Sequence, residues 1–322
     1  MEQRSIVLVG SETLVGADVR EILLERFPRA ALRLAGSQEE DSAILTERGG
    51  EAVVLTPVDE AAMADARLVI LAGSAESARR TWALLTRAGV EPAVVDLSYG
   101  LEDHPESRLR GPLAEPPAGL APARLQIVAH PGAVLIATVL RAVSTVAPVA
   151  RAVVTLLAPA SEAGRAGVEE LQQQTVQLLS FQALPQQIFG EQLIYNLVAG
   201  SMTETEHRIE RHLATLVGAA PAIPLPSVRL IQSSVMHGYS ASIWVELETA
   251  PEQVAGALRA EGLDVWGETA PNVVGIAGQN GIAVGAIEAD RNNRRALWIW
   301  AVADNHRLTA ENTAMLAEQV LG

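Results

Sequence analysis

The turn Gly10-Ser11-Glu12-Thr13-Leu14-Val15-Gly16 is the first place in the chain where residue types and spacing could do chemistry. It follows an apolar run and opens a helical pattern. In that setting glycines let a backbone approach a pyrophosphate, and free amides at the helix start hold its charge. Gly10 and Gly16 are the useful glycines, and Thr13, Leu14 and Val15 complete the candidate cofactor contacts. Thr13 puts a branched side chain where phosphates would lie, and Glu12 puts a negative charge there. Two readings stand: a dinucleotide turn, and a strand-to-helix turn that binds nothing. Farther on, Glu39 and Glu40, with Asp41 after them, can accept hydrogen bonds from a ribose and repel a 2′-phosphate. Of NAD and NADP, NAD is therefore favoured.

Tyr239 is the second candidate. A phenol can give a proton to a carbonyl beside a nicotinamide, although no lysine is present to lower its pKa; equally, the ring can simply fill volume. His207 and His212 are five apart on a predicted helix, share a face less well than a spacing of four would allow, and lack a carboxylate to complete a zinc motif. No metal site is expected. Ser233 and His237 fall on one side of a strand but about 13 Å apart, too far for proton transfer, so neither Ser233 nor Ser234 reads as a nucleophile. Trp244, Trp266, Trp298 and Trp300 occur in or beside predicted strands and read as core or subunit-interface packing.

What the chain lacks narrows the chemistry further. Among 322 residues there is no cysteine, and all 24 basic residues counted as Lys+Arg are arginine. Thiol nucleophiles, disulfides, thiolate metal sites, Schiff-base lysines and the phosphate-loop lysine are all excluded. A net charge of −14 repels phosphate backbones and anionic lipid, which leaves small molecules and proteins as partners, with no nucleic acid and no membrane. The longest apolar stretch, Gly132 to Ala160, is interrupted by Arg141 and Arg151, and Met1 to Ser5 lacks a signal-peptide pattern. A soluble cytoplasmic protein is expected.

The elements that must position these residues alternate in the first part of the chain. Short apolar runs at Ser5–Val9, Ala31–Ala35, Ala52–Leu55, Arg67–Ala72, Ala93–Asp96 and Leu125–Ala129 predict strands. Helical spacing predicts helices from Leu14 to Phe27, Glu60 to Ala66 and Ser77 to Ala88. This is the pattern of a Rossmann-like, doubly wound parallel sheet in an α/β protein. Between Tyr99 and Ala123 glycine, proline and acids predict a surface excursion. A helix follows Pro131. Then come a strand at Arg151–Leu157, a helix at Gly164–Leu179, a strand-rich stretch at Val228–Glu248, and strands at Val273–Ile276, Ile282–Ile287 and Ala296–Val302. A helix at Ala310–Leu321 closes the chain. A second α+β domain is expected, with a sheet face that packs on helices and on a twin subunit.

The segments VLVGSETLVGADV, ERFPRAALRLAGS, VVDLSYGLED, VAHPGAVLIATVL, ASEAGRAGVEELQQQT, HGYSASI and ADNHRLTAENTA, in this order, resemble bacterial aspartate-semialdehyde dehydrogenases over nearly the whole chain. The resemblance implies a nucleotide-binding domain at residues 1–130 plus about 303–322, and an α+β dimerisation domain at 131–302. It also implies a homodimer, and an ancestral reaction that reduces β-aspartyl phosphate with NADPH through an active-site thiol.

Carried over position by position, the family's catalytic set is not retained. The Asn-Pro-Asn-Cys motif corresponds to His130-Pro131-Gly132-Ala133, so a methyl group stands for the nucleophile. Gly-His-Ser corresponds to Gly238-Tyr239-Ser240. The substrate-carboxylate arginine falls on Gln232, and its partner glutamine near the Ser-Gly-Ala-Gly motif falls on Ala158. The phosphate-binding arginine falls near Glu102, after a motif reduced to Asp96-Leu97-Ser98-Tyr99. The lysine of Glu-Glu-x-Lys keeps its charge as Arg208, while the glutamate before it becomes Thr205. The pattern resembles the Usg-type homologues, which keep the fold without the catalytic set. It implies a pseudoenzyme acting as a dimeric binding or scaffold protein; the alternative is an oxidoreductase with Tyr239 as proton donor. The resemblance brings a fold and leaves the ligand open.

Overall fold

Each apolar run in the first part of the chain is separated from the next by a segment long enough to cross back over a sheet, so the runs can pair in parallel. The computed structural model describes residues 5–37, 44–48, 51–55, 58–115, 123–218, 223–267 and 269–322. They form one unit of residues 1–112, 116–129 and 309–322 and a second of residues 113–115 and 130–308.

In the first unit the chain runs β1 (Ser5–Val9), α1 (Leu14–Arg26), β2 (Ala31–Ala35), β3 (Ile44–Arg48), β4 (Glu51–Leu55), α2 (Glu60–Met63), β5 (Leu68–Leu71), α3 (Ala75–Ala88), β6 (Ala93–Asp96), β7 (Ser107–Arg110) and β8 (Leu125–Val128). Six strands form an all-parallel sheet in the order β2-β1-β5-β6-β8-β7. The central strands β1, β5, β6 and β8 are buried on both faces, as a covered parallel sheet requires, while the edge strands β2 and β7 are partly exposed. Ile6 and Leu8 face Val19, Ile22 and Leu23 of α1 together with Ala310, Ala314 and Ala317 near the C-terminus. Val7 and Val9, one residue out of phase, face Trp82 and Leu85 of α3.

Two departures concern this unit. The run Ala52–Leu55 does not join the parallel sheet; as β4 it pairs antiparallel with β3 in a separate two-stranded sheet. Only residues 49 and 50 separate the two strands, too few for a parallel crossover. Within the predicted excursion, Ser107–Arg110 forms β7, parallel to β8 at the sheet edge. Its alternating polar residues hide it from a search for apolar runs.

The second unit continues with α4 (Pro131–Ser144), β9 (Val149–Ala158), a 3₁₀ turn at Ala160–Ala163, α5 (Gly164–Leu179), β10 (Leu197–Ala199), α6 (Thr203–Gly218), β11 (Ser227–Ser233), β12 (Tyr239–Leu247), α7 (Val254–Ala260), β13 (Asp264–Val265), β14 (Ala283–Ala289), β15 (Ala296–Ala303) and α8 (Asn305–Leu321), whose last turns belong to the first unit. A mixed seven-stranded sheet has the order β10-β11-β9-β12-β15-β14-β13. Val154, Leu156, Ile243, Val245 and Ile299 are fully buried or nearly so, and α4 packs on β9 and β15 and against α6 and α7. On the opposite face Val153, Trp244 and Trp298 stand in one cross-strand row, with Val153 48% and Trp298 44% exposed. The predicted strand at Val273–Ile276 is a turn, in which Asn272 Oδ1 accepts from Gly275 N at 3.0 Å. No helix among the described residues is long and apolar enough to cross a membrane.

A carboxylate at the centre of the candidate site

His130 ends the connection from β8 and caps α4. Pro131 occupies the first helical position, where its missing N–H costs nothing, and His130 Nδ1 accepts from Gly132 N at 3.1 Å. Because Nδ1 accepts, the hydrogen-bond pattern assigns the ring proton to Nε2, which donates to Glu162 Oε1 at 3.0 Å. The His130 backbone N–H donates to His212 Nδ1 at 2.9 Å, so α6 also holds the residue in place.

Tyr239 opens β12, and its side chain is 1% exposed. Its hydroxyl donates to Glu162 Oε2 at 2.5 Å, and its ring meets His130 edge-on at 5.8 Å between centroids. Glu162 itself comes from the 3₁₀ turn after β9. That turn is pinned by backbone bonds from Ala160 N to Val235 O (2.7 Å) and from Ser161 N to Met236 O (3.0 Å), and by Asn305 Nδ2 donating to Ser161 Oγ (3.1 Å). Burial pushes the Glu162 carboxyl up, but the His130 imidazole, the Tyr239 hydroxyl and, farther off, His306 outweigh burial and hold it below the usual carboxylate range. At neutral pH it is ionised.

The carboxylate borders a cleft of about 370 Å³ that is also lined by Gln232, Thr205, Glu204, Met202 and Phe189. Gln232 Nε2 donates to Ala158 O (3.1 Å) and Ser233 O (3.4 Å), two atoms that only accept, which fixes the orientation of the amide. The Gln232 side chain is 4% exposed. The charged side chains lining the cleft are Glu162 and Glu204, and both are negative.

The structure thus brings Tyr239, Gln232 and Ala158 into one region of the second unit, while Ala133, fully buried, lies in the first turn of α4, which His130 caps. Glu162, on which His130 and Tyr239 converge, is the residue of this site that inspection of motifs missed. It lies in Ser161-Glu162-Ala163-Gly164, shortly after Ala158. His207 is exposed and His212 is buried against His130; no metal-binding group of His, Asp and Glu occurs among the described residues. Ser233 Oγ donates to Ala158 O at 2.9 Å and has no histidine beside it. His237 instead meets His306, at 5.4 Å between ring centroids.

The turn after β1 supports a dinucleotide poorly. Gly10, at φ 85°, is required because a Cβ there would lie 2.4 Å from Gly73 N, and a Cβ on Gly16 would lie 2.1 Å from Gly10 O. These contacts explain both glycines by packing between β1, β5 and α1. Thr13 caps α1, its Oγ1 accepting from Gly16 N at 3.0 Å and lying 2.9 Å from both Gly10 O and Ala72 O. The Gly16 amide is thereby used internally, while Leu14 and Val15 lie in the first turn of α1. The Glu12 carboxylate accepts from Ser37 N (2.9 Å) and from the Ser37 hydroxyl, placing a fixed negative charge at the end of β2, where a dinucleotide's ribose would sit. Glu39 and Glu40 lie outside the described residues.

A parallel, nucleotide-type sheet followed by a mixed-sheet unit defines a dehydrogenase-type architecture, in a chain that contains no thiol. Residues 5–154 match the semialdehyde dehydrogenase NAD-binding domain and residues 140–308 match the semialdehyde dehydrogenase dimerisation domain. The chain belongs to the semialdehyde dehydrogenase family. It is 30% identical to a USG-1 protein homologue of Azotobacter vinelandii over 98% of this chain and 97% of that protein. It is 27% identical to an aspartate-semialdehyde dehydrogenase of Prochlorococcus marinus over 98% and 96%. A solved structure of a probable aspartate-semialdehyde dehydrogenase from Pseudomonas aeruginosa superposes with a TM-score of 0.86 at 27% identity, covering 98% of both chains.

Proposed function

We propose that this chain is a cytoplasmic homodimeric binding protein that has lost the parent phosphorylating aldehyde dehydrogenase reaction. The observation that carries this reading is the buried methyl of Ala133 at the position of the family's thiol, in a chain with no cysteine at all. A thiohemiacetal cannot form on a methyl group. The neighbouring positions agree: the histidine position is Tyr239, buried and hydrogen-bonded to Glu162, and the carboxylate-binding arginine position is Gln232, hydrogen-bonded to the backbone. Dimerisation is supported by the match to a dimerisation domain and by the row Val153, Trp244 and Trp298 on the open sheet face.

The alternative, hydride transfer with Tyr239 as proton donor, has less support, because the phenol is 1% exposed and its proton is engaged by Glu162. The deciding assay incubates the purified full-length protein with aspartate semialdehyde, inorganic phosphate and either NADP or NAD, and follows absorbance of the reduced nicotinamide. No turnover above the protein-free rate is expected. Robust turnover that survives purification to homogeneity would overturn the reading, and loss of that turnover in Tyr239→Phe would establish the alternative.

A further inference from the structure

From Leu171 to Gly190 the chain carries no acid, no arginine and no histidine, although 19% of its residues are charged. A neutral stretch of this length suits a core, yet much of it lies at the surface. Among the described residues, six of the eleven exposed large hydrophobic side chains fall within residues 176–197: Val176, Leu179, Phe181, Ile188, Tyr195 and Leu197. Phe181 is 99% exposed and stands where the backbone favours glycine. Gln182 N donates to Gln177 O at 2.9 Å and Phe181 N to Leu178 O at 3.2 Å, which closes α5 in a Schellman turn with Phe181 at φ 54°. Tyr195, also exposed, stands at φ 59°. Left-handed backbone is unfavourable at a residue with a Cβ, so two aromatic rings are held in water at a cost to the single chain. The segment is nevertheless fixed. Glu170 accepts from Gln187 N (2.8 Å), Ile188 N (2.8 Å) and Phe189 N (3.2 Å). One turn on, Gln174 accepts from Leu193 N (2.8 Å) and Ile194 N (3.0 Å) and donates to Pro185 O (2.7 Å) and Glu191 O (3.1 Å). Both side chains are buried, and they staple residues 185–194 to α5 as a strap. Clustered apolar side chains exposed on a fixed frame mark an interaction surface.

The register of the second sheet points to what covers it. Leu197 pairs with Ser233 and Ala199 with Ile231, while Ile231 pairs with Leu157 and Ser227 with Val153. Leu197 therefore shares the open face with Val153, Trp244 and Trp298, and the strap runs directly into that face. All of it lies within residues 140–308, which match a dimerisation domain. The row Val153, Trp244 and Trp298 by itself falls short of the roughly 800 Å² per partner that a stable dimer buries. Charge agrees. A second copy of this chain carries −14, and an uncharged patch meets it without like-charge repulsion, whereas a basic partner would be met by acids, which Leu171 to Gly190 lack. We propose that the strap is part of the contact between two copies of this chain, with Phe181 and Tyr195 of each copy buried against the other. The proposal rests on the homodimer reading above and adds a surface to it. Ile188 and Phe189 of the same strap line the cleft beside Glu162, so the partner braces one wall of that cleft.

The test is sedimentation equilibrium of the full-length protein over a range of concentrations. Phe181→Gly and Tyr195→Gly each remove an aromatic ring and relax the backbone at a left-handed position, so the subunit fold is kept, as far-UV circular dichroism checks. Phe181→Gly should raise the dimer dissociation constant at least tenfold, and the double variant at least 100-fold. Diluting the wild type below its dissociation constant should speed amide hydrogen exchange across residues 176–197. A dissociation constant unchanged in the double variant, or exchange in this segment indifferent to dilution, overturns the proposal, leaves the homodimer standing and reserves the strap for a different protein. A wild type that sediments as a monomer at every concentration overturns the homodimer reading and the proposal with it.

Discussion

The Tyr239 hydroxyl donates its one proton to Glu162 Oε2 across 2.5 Å, joining the first residue of β12 to a turn 77 residues earlier in the chain. His130 Nε2 meets the other oxygen of the same carboxylate from the start of α4. Three chain segments therefore converge on one charge. The arrangement holds β12, the 3₁₀ turn and α4 in register with hydrogen bonds to an ion, the stronger kind.

Tyr239→Phe keeps the ring and deletes the donor. Removing a bond to a charged, largely buried acceptor costs about 1.5–3 kcal/mol. Urea unfolding should show that loss at pH 7.5, with an unchanged denaturant slope. A midpoint equal to that of the wild type would mean that solvent replaces the hydroxyl at no cost and that the bond is not structural.

Stability should fall with acid in two successive windows. His306 is lowered from 6.5 to about 4, chiefly by burial, with His237 reinforcing and Asp304 and Glu162 opposing. The unfolded chain takes up this proton near pH 6.5 and the folded chain only near 4. The contribution is whole above 6.5 and is lost as pH falls toward 4, by at most about 3 kcal/mol. Glu162, whose folded pKa is lowered, contributes above its unfolded value of 4.5 and loses that contribution at lower pH still. Urea unfolding from pH 7.5 to 4.5 should therefore show a slope that His306→Asn flattens. An equal slope in the variant would assign the first window to another group.

The strands of both sheets are legible in the sequence because burial on one or both faces leaves long apolar runs or clean alternation. β3 and β7 escape because their residues are mostly polar, and β10 (Leu197–Ala199) and β13 (Asp264–Val265) because two or three residues are too short to show a pattern. The turn at Val273–Ile276 misleads because two valines and an isoleucine mimic a strand while Asn272 and Gly275 close a turn around them. The degenerate positions are legible by motif, since a missing cysteine needs no geometry. The Glu162 centre is not: residues 130, 162 and 239 have no common period or spacing, and only the second unit's fold brings them together. An acid in a polar turn looks like solvated surface until its partners are known.

The open face of the second sheet makes a separate prediction. Trp298, Trp244 and Val153 lie side by side across β15, β12 and β9. Aromatic residues in such a row are the usual centre of a subunit contact. Trp298→Glu should raise the dimer dissociation constant at least 100-fold in sedimentation equilibrium while leaving the far-UV circular dichroism unchanged. A variant that sediments as the wild type does would move the dimer contact elsewhere.

Glu12 sets an expectation for dinucleotides. Its carboxylate, held by the Ser37 N–H and hydroxyl at the end of β2, opposes any 2′-phosphate there. NADPH should bind at least tenfold more weakly than NADH by calorimetry, and Glu12→Gln should narrow that ratio. Equal affinities for both cofactors in the wild type would show that the carboxylate swings away when a nucleotide enters.

Restoring the thiol alone should not restore the reaction. Ala133→Cys would place a sulfur in the first turn of α4, where the helix start favours a thiolate. The sulfur would still face a site in which Tyr239 gives its proton to Glu162 instead of shuttling it, Gln232 replaces an arginine and Glu162 repels an acyl phosphate. Each loss removes transition-state stabilisation that a nucleophile cannot supply, and residues that act as a unit do not recover activity one at a time. Ala133→Cys should therefore show no phosphate-dependent reduction of NADP with aspartate semialdehyde. Measurable turnover would mean that the cysteine was the only barrier, and that Glu162 and Tyr239 tolerate the anionic substrate.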